Sequence, residues 1–82
     1  MESTIKLRVR KEIDNGSEFK VIKLKGSLIA GGFTEIIHIS DEDEHYYLNT
    51  FSTPSRNKKS TEEFLLGYIA DHQLNDAVML LK

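Results

Sequence analysis

Cysteine is absent from this chain of 82 residues, which excludes disulfides and thiolate metal sites and fits a reducing compartment. Long apolar runs are absent too, and no apolar segment follows the first charges, so neither a membrane span nor a secretory signal is expected. Proline occurs once, at position 54, and repeats or linkers have no room in so short a chain. No sign of charge dominates, since 11 basic and 13 acidic residues leave a formal net charge of -2 and no general affinity for polyanions. What is there, 39% apolar and 29% charged residues, lies within the globular range. The expectation is one soluble, cytoplasmic domain over residues 1-82, near the lower end of what folds without staples.

Ile5, Leu7 and Val9 alternate with Lys6, Arg8 and Arg10, the period of two of a strand with one buried face. Asp14-Asn15-Gly16-Ser17 follows, and Asn-Gly is a strong signal for a tight hairpin turn. These features predict strands over about 4-13 and 18-29. Gly31-Gly32 is read as a second turn before a strand over 33-40. The acidic run Asp41-Glu42-Asp43-Glu44 is read as a solvated loop before a strand over 45-51. Ser60 and Glu63 have the spacing of a capping box, and Phe64, Leu65, Tyr68, Ile69 and His72 fall on one side of the helix that follows. The helical segment spans about 61-81, either continuous or broken near Asn75-Asp76. The expected fold is α+β: a four-stranded antiparallel β-meander with one or two C-terminal helices packed on one face, ββββα or ββββαα.

In that meander Val9 faces Ile22 and Leu7 faces Leu24, while Arg8 faces Lys23 and Lys6 faces Lys25 on the opposite side. A one-residue slip would scatter the apolar set over both faces. Carrying the register through the later turns gives an apolar face of Ile5, Leu7, Val9, Ile22, Leu24, Leu28, Phe33, Ile37, Ile39, Tyr46 and Leu48, which the helical segment covers. The exposed face then carries Lys6, Arg8, Lys23 and Lys25, with Arg10 further along, beside His38, Tyr47, Asn49 and Phe51. Like charges opposite one another in a sheet cost up to about 1 kcal/mol per pair, which suggests an anion as the missing partner.

Single-stranded nucleic acid, RNA in particular, fits such a surface. Lys6, Arg8, Arg10, Lys23 and Lys25 would meet phosphates while Tyr47 or Phe51 stacks on bases, with His38 as a further basic or stacking residue. The likeness to RNA-recognition sheets is one of surface type alone, since the RNP consensus is absent. A second class fits the same residues: a protein-binding inhibitor or adaptor, of the kind phages and mobile elements direct against host factors, acting as a homodimer through exposed Ile29, Ile36, Tyr47 and Phe51. Basic residues also guard solvated strands in proteins that bind nothing there.

No catalytic constellation is found. Asp41, Asp43 and His45 alternate, but the loop lacks the central glycine and later glutamate of an EF-hand. His38 has serine neighbours without a glycine-framed elbow or an orienting acid, and Gly31-Gly32 lacks the lysine and helix start of a phosphate loop. His72, on the helical stripe, is expected to be partly buried. Neither an enzyme nor a cofactor nor a metal site is predicted.

Overall fold

The computed structural model describes residues 1-81. Strand β1 is Glu2–Arg10, helix α1 Asn15–Ala30, strand β2 His38–Asp41 and strand β3 Tyr46–Pro54. A short 3-10 turn, Ser55–Asn57, leads into helix α2, Lys58–Asp71, and the last strand, β4, is Val78–Leu81. The strands form one sheet in the order β2-β3-β1-β4, and every neighbouring pair is antiparallel. The expected α+β class, four-stranded antiparallel sheet and helices are present. The expected element order is not, because α1 lies between the first two strands. The order βαββαβ is that of the split βαβ, or ferredoxin-like, motif.

The correction centres on residues 15–30. Asp14 is the N-cap of α1, with extended backbone (φ -68, ψ 164), and its carboxylate accepts a hydrogen bond from the Ser17 amide at 2.6 Å. Asn15-Gly16 is therefore the first turn of a helix and not a hairpin. Val21, Leu24 and Leu28 have the three- and four-residue spacing of one helical stripe, and all three are buried. A strand reading of the segment puts Ile22 in the core, where the structure leaves it 58% exposed. Gly31-Gly32 ends this helix instead of turning a hairpin. Gly32 has φ +79, and the Phe33 and Gly32 amides donate to the carbonyls of Leu28 and Ile29 at 3.0 and 3.2 Å, a Schellman cap that needs a left-handed residue.

α2 starts two residues before the expected capping box. Ser60 donates its hydroxyl to the Asn57 carbonyl at 3.0 Å and does not cap an amide, and Asn57 caps through backbone geometry alone. The helix ends in a second Schellman cap. Gln73, at φ 57, takes the left-handed position, and the Leu74 amide donates to the Ile69 carbonyl at 2.8 Å. After Asn75-Asp76 the chain extends, so residues 78–81, expected to be helical, are the edge strand β4.

Both helices cover one face of the sheet. Ile5, Leu7 and Val9 of β1, Phe51 of β3 and Val78 of β4 pack with Val21, Leu24 and Leu28 of α1 and with Leu65 and Ile69 of α2. Full burial of such side chains contributes about 1.5–3 kcal/mol each relative to exposure. The helices run antiparallel. Tyr68 Oη donates to the Lys20 carbonyl at 2.9 Å, Lys20 Nζ donates to the His72 carbonyl at 3.1 Å, and Phe33 stacks on Phe64 at a centroid distance of 5.0 Å. His72 is half-buried with its ring 4.0 Å from that of Tyr68.

Candidate binding face of the sheet

The face of the sheet away from the helices is open, and strand register fixes what it carries. β1 pairs with β3 and β4, so Lys6 lies between Thr50 and Leu81, and Arg8 between Leu48 and Met79. β2 pairs with β3, which adds His38 beside Thr50 and Ser40 beside Leu48. Tyr46 pairs with Arg10 at the end near the β2–β3 loop, and Thr4 with Ser52 at the other. Because side chains alternate along a strand, Lys6, Arg8 and Arg10 form a single column on a central strand. Among the described residues no cation faces another across the strands, and the expected crowding of Arg8 on Lys23 and Lys6 on Lys25 does not occur.

The acidic loop neutralises part of the column. Asp43 Oδ1 accepts from the amides of His45 and Tyr46 at 2.8 and 3.0 Å and closes the β2–β3 turn, which places Glu42 beside Arg8. The Arg8 guanidinium grips Glu42 through two bonds of 2.7 and 2.6 Å. Those bonds hold the Glu42 carboxyl below its ordinary range and raise Arg8 further. The same guanidinium lies 5.4 Å from the centre of the Tyr46 ring. Lys11 pairs with Asp41 at 3.1 Å and sits 5.1 Å from the Tyr47 ring. Lys6 and Arg10 are exposed and have no ion-pair partner among the described residues.

Of the residues expected to form a nucleic-acid surface, Lys6, Arg8, Arg10 and His38 share this face. The other four lie elsewhere. Lys23 and Lys25 belong to α1, because their segment is helical; Lys23 caps the Phe19 ring at 5.5 Å, and burial lowers the pKa of Lys25. Phe51 pairs with Ile5 on the helix-covered side and is 1% exposed, so its ring is core. Tyr47 pairs with Val9 on that same side, at its rim.

Tyr46 and Leu48, expected on the helix-covered face, lie instead on the open one, together with Thr50, Met79 and Leu81, which the sequence does not predict there. The alternation of Asn49, Phe51 and Thr53 against Leu48, Thr50 and Ser52 is visible, but the two adjacent tyrosines leave its phase ambiguous. The apolar run Ala77 to Leu81, bounded by Asn75-Asp76, is consistent with a short strand, a signal that could have found β4.

A concavity of about 670 Å³ at one end of the sheet is lined by Ile29, Phe33, Ile36, His38, Ser52 and Pro54 among others. Among the described residues no group of three His, Asp or Glu side chains could hold a metal ion, and no helix is long and apolar enough to cross a membrane. Comparison with protein-family models, with curated proteins and with solved structures finds no match.

Proposed function

We propose that this protein is a non-enzymatic binding module, an inhibitor or adaptor, whose open sheet face receives an acidic segment of a protein partner. The observation that carries this reading is the column Lys6, Arg8 and Arg10, with two of its three cations unpaired among the described residues, bordered by Leu48, Met79 and Leu81. An extended segment with alternating carboxylates and apolar side chains complements that pattern: its charges meet Lys6 and Arg10 while its apolar groups cover the leucines and the methionine.

Single-stranded nucleic acid is the second reading, favoured by the same column together with Tyr46 and His38 on the open face. It is weaker because stacking on bases needs free aromatic faces. Phe51 is buried, Tyr47 is at the rim of the other side, and Arg8 already covers Tyr46.

Selection from a random-peptide display library on the immobilised protein, beside selection from a pool of single-stranded oligonucleotides, separates the two. The expected peptides carry carboxylates, bind more weakly as salt rises, and lose roughly tenfold or more in affinity to the Lys6→Glu, Arg10→Glu double variant. Oligonucleotides enriched without peptides establish the second reading. Ligands of either kind that bind the double variant as well as the parent overturn the assignment of the face.

A further inference from the structure

The outward side of α1 carries a second apolar stripe. Phe19, Ile22 and Ile29 are 61%, 58% and 48% exposed, and with Gly26 they follow the 3-4-3 spacing of one helix face, opposite the buried stripe. A Cβ at Gly26 would meet nothing within 4 Å, so the fold does not need glycine there, although glycine weakens a helix relative to alanine. A glycine amid exposed apolar residues makes a notch that a bulky side chain can enter.

We infer that this stripe is a homodimer contact, in which α1 packs antiparallel against α1 of a second copy about a two-fold axis near Ile22 and Lys23. In that arrangement Ile22 meets its counterpart, and each Phe19 ring lies over Gly26 of the other copy. Charge selects a second copy over an unrelated helix. Glu18 and Lys25, seven residues apart, lie on one flank of the stripe, and neither has an ion-pair partner among the described residues. Lys25 is also half-buried. A two-fold axis perpendicular to antiparallel helices sets each flank against the same flank with its ends reversed. Glu18 of each copy therefore comes within side-chain reach of Lys25 of the other, and the surface supplies both of its own counterions. On the opposite flank Lys23 turns over the Phe19 ring, 5.5 Å from its centre, which draws its ammonium away from the axis. The helices lie on one face of the sheet, so this dimer would present its two open sheet faces outward on opposite sides as a bivalent assembly. The inference is independent of what those faces bind.

Sedimentation equilibrium of the full chain across a concentration series tests it. A contact confined to one helix is small, so the mass should rise from 9.4 kDa towards twice that value at roughly tens of micromolar and fall again on dilution. Gly26→Gln should melt at a higher temperature than the parent yet stay monomeric, because the added side chain strengthens the helix and fills the notch. Glu18→Lys should weaken the dimer, and adding Lys25→Glu to it should restore association. A parent that remains monomeric up to roughly 1 mM overturns the inference. So does a dimer that neither Gly26→Gln nor Glu18→Lys weakens.

Discussion

Thr53 and Asn49 sit in the apolar layer between sheet and helices, where their polar atoms are buried. Thr53 is 0% and Asn49 1% exposed, and among the described residues the Thr53 hydroxyl and both polar atoms of the Asn49 amide have no hydrogen-bond partner. A buried polar group without a partner costs about 1–3 kcal/mol. Valine has nearly the shape of threonine, so Thr53→Val should raise the stability measured by urea denaturation by about 1 kcal/mol. A loss of stability would mean that the hydroxyl is satisfied after all. At this scale the sequence was a mixed guide. The alternation in β1 correctly separates Ile5, Leu7 and Val9 from Lys6, Arg8 and Arg10. In β3 the polar Asn49 and Thr53 accompany Phe51 into the core, while Leu48 stays on the open side. Polarity alone therefore points to the wrong face of that strand.

Among the elements, α1 was the least legible. The segment Glu18 to Lys25 nearly alternates, and Asn-Gly before it suggests a hairpin, so local pattern supports a strand almost as well as a helix. The choice turns on Val21-Ile22, adjacent apolar residues that break the alternation, and on Asp14, whose carboxylate reaches the Ser17 amide as a cap. That bond from the Ser17 backbone, aided by the Ser17 hydroxyl, holds the Asp14 carboxyl below its ordinary 3.8. The folded value lies below the unfolded one, so the cap's contribution is fully present above the ordinary value and is lost as pH falls through the lower folded value. Asp14→Ala should lower the urea midpoint at neutral pH, whereas Asp14→Asn should keep most of it, because an amide oxygen also caps. Both variants should lose less than the parent on acidification below about pH 4. An unchanged neutral midpoint in Asp14→Ala would show that the cap contributes nothing. β4 was hidden for a different reason: four residues are too few to show a period, and strand and helix share the same apolar run.

For the whole molecule, the class was legible and the connectivity was not. A meander pairs each strand with the next, but β1 pairs with β3 and β4, contacts between residues from 36 apart in sequence (Arg10 and Tyr46) to 75 apart (Lys6 and Leu81). Nothing local in the chain encodes such pairing; it follows once α1 is a helix and must cross over the sheet. That crossing removes lysines 23 and 25 from the sheet and leaves one column of cations instead of opposed pairs. The proposed binding rests on this column and its apolar border. Its most direct test is amide NMR of the labelled protein during titration with an acidic peptide recovered by display. The predicted result is shifts concentrated at Lys6, Arg8, Arg10, Thr50 and Met79, with α1 and α2 unchanged. Shifts concentrated on the helices, with those five amides still, would contradict it.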